Sequence, residues 1–209
     1  MASKDIRATA KALHYSSKDI EFGDVLLISH SKPFFLNKKI RFEYTSKTKS
    51  IDEWSYKIVY DLNTYINTDY IMLIHSDGFV VNPGMWQDDF LNYDYIGSPW
   101  PLPADDYSYR DSFGNIVRVG NSVSLRSKRL LELPSKINMP WEPFHGFYNE
   151  DGFICAKNKH IFEQHGIKYA PIDVAKYFAH ENMIPEVKGI KPFAFHRYEG
   201  TNAQYPRFK

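Results

Sequence analysis

The apolar run YIMLI at residues 70–74 stops at His75-Ser76-Asp77-Gly78 and resumes as Phe79-Val80-Val81. A short run with no polar alternation is the pattern of a strand covered on both faces, as in a largely parallel sheet flanked by helices. Gly78 is expected to let the chain turn sharply just beyond it. Ligands of open α/β sheets bind past the carboxyl ends of the strands, so His75, Ser76 and Asp77 stand where such a fold keeps its chemistry.

The rest of the chain alternates in the same way. Ile6, Ala10 and Leu13 follow helical spacing before the apolar run 25–28, and Trp54, Ile58, Val59, Leu62, Tyr65 and Ile66 do so before the run 70–74. Further on, the patterns predict a short helix over 85–93, strands over 95–97 and 119–125, and a short helix over 128–133 stopped by Pro134. A longer helix over 150–165 ends at Gly166, and strands follow at 168–171 and 193–196. This order predicts an α/β domain with a mostly parallel central sheet flanked by helices. A chain of 209 residues suits one such domain over 1–209. Residues 1–7 are too short and polar for the strand with which such folds open.

Composition narrows the function. A formal net charge of +1 gives no electrostatic reason to expect nucleic acid or an anionic membrane as partner. Cys155 is the single cysteine, and the N-terminus shows no signal-like or membrane-spanning apolar segment, so a reducing, cytoplasmic setting is expected. The 15 Tyr, 15 Phe and 4 Trp supply flat faces that either stack on sugar rings or fill a core.

Two stretches carry candidate chemistry. Residues two apart on a strand share a side, so His75 and Asp77 can converge on a divalent cation, the carboxylate favouring a hard ion such as Mn²⁺ or Mg²⁺. The alternative makes Asp77 a turn cap and His75 a core residue. Glu150-Asp151 falls at an expected helix N-terminus, where exposed N–H groups favour negative charge; it is either a catalytic pair or simply a helix start. Asp105-Asp106, in a polar loop, reads as a solvated turn.

Taken together and in order, HSDGFVVNPGMW, DDFLNYDYIGSPW, GNSVSLRSKRLL, NEDGFICAKNK and KPFAFHRY resemble an uncharacterised family of glycosyltransferase-like proteins with the GT-A fold. The resemblance covers roughly residues 70–198 and, in size and in Lys, Asn and Tyr usage, extends to glycosyltransferase domains of large algal viruses. Such enzymes move a sugar from a nucleotide diphosphate, holding Mn²⁺ with a short Asp-x-Asp motif at a strand end. Here that motif reads His75-Ser76-Asp77, keeping the last Asp and replacing the first.

The resemblance implies a metal-dependent transfer from a nucleotide-sugar donor, a UDP-sugar, to a glycan hydroxyl; inversion is the expected outcome, with retention left open by the residues. Asp77 would be the first metal ligand, joined by His196, which could otherwise be a strand-end core histidine, and by His75. Ser76 would lie beside the donor. Asp151, ahead of Glu150, would take the acceptor proton. Ser29 and His30 would face the base or ribose, Gly120 and Asn121 the donor sugar, and Trp100 a sugar face. Arg118, Arg126 and Arg197 are candidates for the diphosphate. Two other classes remain open: a carbohydrate-binding module without turnover, and a nucleotidyltransferase, for which the chain shows no early glycine-rich basic loop.

Overall fold

A computed structural model of the chain describes residues 1–197. Tyr198, the last residue of the terminal motif, lies outside them. The strands are β1 (Leu26–Ser29), β2 (Arg41–Tyr44), β3 (Tyr70–Leu73), β4 (Gly78–Val80), β5 (Tyr95–Pro99), β6 (Val119–Ser127), β7 (Ala179–His180) and β8 (Ala194–His196). Helix α1 (Ile6–Ser16) precedes β1, and α2 (Ile51–Tyr56) precedes β3. Ser50 caps α2 by accepting from the Glu53 amide. The helical path continues through a π turn, Lys57–Asp61, and a 3₁₀ turn, Leu62–Tyr65. Helices α3 (Lys128–Lys136), α4 (Glu150–Gly152), α5 (Lys159–Gln164) and α6 (Ile172–Phe178) follow.

The expected mostly parallel central sheet, and with it the GT-A-like architecture, is not what forms. Among the described residues the strands make three small sheets, and the one with the longest strands is antiparallel throughout, in the order β3-β6-β5. In the others β1 runs parallel to β2, β4 antiparallel to β8, and β8 parallel to β7. The apolar run misled for a physical reason. Ile71 and Leu73 join a core with Ile58, Leu62, Leu130 and Phe153, while Tyr70 and Met72 join a second core with Phe90, Phe178 and Phe193. β3 is therefore apolar at every position because both faces are covered, and that condition says nothing about strand direction. β1 and β3 do not pair. They line a shared cavity of about 420 Å³.

The second core is held by aromatic edge contacts, with Phe90 and Phe178 centroids 5.4 Å apart at 87°. Phe90, Phe178 and Phe193 are fully buried, each contributing about 1.5–3 kcal/mol by removal from water. The helix expected over 150–165 is also divided. After the single turn of α4 comes a π turn, Phe153–Lys157, and Asn158 departs from helical geometry before α5 begins.

Candidate metal and acid cleft

Ser76 and Asp77 form the tip of a tight turn between β3 and β4: the His75 amide donates to the Gly78 carbonyl at 2.8 Å, closing it. His75 and Asp77 therefore converge through a turn and not through strand alternation. Gly78 does not supply the unusual backbone angle expected of it, since its φ is not positive. It provides room. A Cβ there would stand 2.4 Å from Val123 and 2.7 Å from the His196 ring.

β8 sets His196 opposite Gly78 in the ladder, and so beside the turn. Potential ligand atoms of His75, Asp77 and His196 all lie within 4.8 Å of one another. His196 Nδ1 donates to Glu181 Oε1 at 2.9 Å, and the Asn121 amide nitrogen is 3.1 Å from the same atom. That leaves Nε2 directed at Asp77 Oδ1, 3.7 Å away. A carboxylate behind a histidine is the arrangement that fixes tautomer and ring orientation in metal sites. Asn121 owes its position to an irregularity in the β5-β6 register, where it adopts φ 89° and accepts from the Val123 amide.

The electrostatics of the three groups differ. Burial, together with the nearby His196 charge, lowers the His75 pKa to about 3, so its imidazole is neutral at ordinary pH. Its Nε2 is buried and has no hydrogen-bond partner among the described residues, which leave this lone pair or N–H unsatisfied. Burial would also lower His196, but the carboxylates of Asp77 and of hydrogen-bonded Glu181 outweigh it and raise the pKa to about 9. The His196 imidazolium holds Asp77 below the usual carboxylate range, against its burial. Two imidazoles and one carboxylate, one of the imidazoles unsatisfied, make a donor set that fits a divalent transition metal better than Mg²⁺, which prefers oxygen alone.

The same residues line a cleft of about 460 Å³ that also receives Glu150 and Asp151 from α4. The two acids are not equivalent. Glu150 is 2% exposed and accepts from Arg126 Nη2 at 2.8 Å, so its side chain is committed to a buried ion pair. Asp151 is half-buried and its Oδ1 accepts only from the neighbouring Gly152 amide among the bonds resolved. Burial and the Glu150 charge raise its pKa to about 7, the reverse of what a helix N-terminus alone would do.

Other expected residues lie elsewhere. Ser29 donates to the Ala2 carbonyl and is fully buried at the end of β1, and neither it nor His30 lines the cleft. Trp100 is 7% exposed and packs against Tyr109 in the core, with no open face for a sugar. Gly120 serves that packing, since a Cβ there would stand 1.9 Å from the Trp100 ring. Gly120 and Asn121 do not line the cleft; Asn121 reaches it only through His196. Among the basic candidates Arg126 is the buried partner of Glu150, Arg118 pairs with Glu186, and none of Arg118, Arg126 and Arg197 lines the cleft. Lys4 and Lys49 do. Sequence reasoning missed these two lysines and Glu181. Lys49 lies in a basic stretch without periodicity, and Glu181 follows a strand of two residues, too short to read as one.

A family model described as protein of unknown function (DUF5672) matches residues 40–196. The chain belongs to this family. The match contains His75, Asp77, Asp151, Glu181 and His196, whereas Lys4, Ser29 and His30 precede it. No curated protein and no solved structure matches the chain. Among the described residues no helix is long and apolar enough to cross a membrane.

Proposed function

We propose that the chain is a metal-dependent glycosyltransferase that moves a sugar from a nucleotide diphosphate donor, a UDP-sugar, to a glycan hydroxyl. One observation carries the reading: the His75, Asp77 and His196 cluster and the acid Asp151, with its pKa of about 7, face the same cleft. The motif resemblance supports it through the residues alone, since the GT-A sheet that the resemblance implied does not form. His75, Asp77 and His196 would hold Mn²⁺, ahead of Mg²⁺ because two of the three donors are imidazoles. When bound, the cation would supply Lewis-acid stabilisation of the diphosphate. Lys4 and Lys49 add positive charge to the lining of the cleft.

Asp151 accepts the proton of the acceptor hydroxyl while that oxygen bonds to the anomeric carbon and the bond from that carbon to the diphosphate oxygen breaks. A base that titrates near neutrality suits this step at cellular pH. The acceptor displaces the diphosphate directly, so the configuration inverts.

Differential scanning fluorimetry tests the reading. A UDP-sugar at a hundredfold its Kd should stabilise the native state by about 2.7 kcal/mol. For a chain of this size that is a rise in Tm of about 5–10 °C, and it should require Mn²⁺. Equal shifts in EDTA, or no shift with UDP-, GDP- or dTDP-sugars, would overturn it.

A further inference from the structure

We propose that the loop at residues 31–39, with the adjoining face of α1, docks the protein on an anionic bilayer surface. Phe34 and Phe35 are 90% and 92% exposed, far beyond what scattered surface apolar residues show. The loop is not loosely held. Leu36 turns inward onto the cluster of Ala2, Leu27 and Ile40, and its amide donates to the Pro33 carbonyl. The Asn37 side chain hydrogen-bonds His14 of α1 at 3.0 Å, and its Oδ1 accepts from the Lys39 amide. The fold thus presents the two phenylalanines outward from a fixed base.

Charge identifies the occupant. Between Asp24 and Glu43 the sequence holds Lys32, Lys38, Lys39 and Arg41 and no acid. Arg41 is spent on ion pairs with Asp24 and Glu43, but Lys32, Lys38 and Lys39 are exposed. Arg7 and Lys11, both exposed on α1, line a groove of about 590 Å³ with Phe34 and Phe35. The net charge of +1 conceals this local excess of basic residues. Apolar side chains that share a groove with Arg7 and Lys11 and are flanked in sequence by exposed lysines match an acyl boundary below anionic headgroups. Nucleobase stacking fits less well, because the two rings meet edge to face at 85° and offer no common platform. α1 also contributes Thr9 to the candidate cleft, so docking through this helix would fix that cleft relative to the surface.

The test is co-sedimentation with vesicles of phosphatidylcholine alone and of phosphatidylcholine mixed with phosphatidylserine. Binding should require phosphatidylserine and weaken as salt is raised. The double variant Phe34→Ser, Phe35→Ser should lose tenfold or more in partitioning, and Lys38→Glu with Lys39→Glu about fivefold or more for each charge reversed. Unchanged melting curves would confirm that these exposed substitutions leave the fold intact. Equal binding to both vesicle types, or serine variants that partition like the parent, would overturn the proposal. Absence of vesicle binding together with a concentration-dependent dimer abolished by Phe34→Ser would also overturn it and assign the patch to a second copy.

Discussion

Gly78 and His196 face each other across β4 and β8, and the His196 ring lies 2.7 Å from where any Cβ at position 78 would stand. The glycine is thus part of what holds the imidazole in the cleft. Gly78→Ala forces His196 or Val123 to move, at a cost of about 1–3 kcal/mol for overpacking. Isothermal titration should show Mn²⁺ affinity falling by tenfold or more. Affinity equal to the parent would mean that the ring position is not needed for the metal.

Glu181 should act through His196. Outer partners of metal-bound histidines are typically worth about 10–100-fold in affinity, so Glu181→Gln should reduce Mn²⁺ binding by that range. It should also lower the His196 pKa, measurable by NMR titration of the imidazole. A purely structural Glu181 would change the melting temperature and leave that titration in place.

The His196 pKa of about 9 sets the pH dependence of the empty and loaded sites in opposite directions. A proton and a cation compete for this ring, so Mn²⁺ affinity should rise with pH, by up to about tenfold per unit, until near pH 9. In the metal-free protein the folded pKa lies above the ordinary value of 6.5. The stabilisation from His196 is therefore complete below pH 6.5 and lost as pH rises through about 9. Metal titrations and melting curves across pH 6 to about 9.5 read the two trends separately.

Asp151 should trade stability for activity. Its folded pKa of about 7 exceeds the ordinary 3.8, so the folded state binds more protons between those values and loses stability as pH rises through them. Asp151→Asn should raise Tm more at pH 8 than at pH 5. The same variant should slow transfer by about a hundredfold to ten-thousandfold. Glu150→Gln is no neutral comparison: it leaves the Arg126 charge buried with weaker compensation, and removing one partner of such a pair costs about 3–5 kcal/mol. A Glu150→Gln variant as stable as the parent would contradict the buried pair.

The grouping of some cleft residues was legible in the sequence, for reasons that do not extend to the fold. His75 and Asp77 stood between two apolar runs, and a chain that packs those runs into cores leaves the polar break at the rim; His196 ended a third run and was joined to them only by the motif resemblance. Asp151 was visible as an acid ahead of an apolar stretch. Sheet direction was not legible, because two-sided burial of β3 produces the same letters in a parallel or an antiparallel ladder. Trp100 and Gly120 read as ligand contacts because an aromatic and a glycine near a turn suit either a sugar or each other. Only the 1.9 Å approach between them decides for packing. Glu181 needed the tertiary pairing of β7 with β8 to be seen at all.

The most direct measurement is Mn²⁺ electron paramagnetic resonance on the full chain, with and without UDP, comparing the parent with Asp77→Ala and His196→Ala. The expected result is stoichiometric loss of the free-ion signal with the parent, tightened by UDP and abolished by either substitution. Retention of UDP-tightened Mn²⁺ binding in both variants would place the metal away from His75, Asp77 and His196 and contradict the assignment of the cleft.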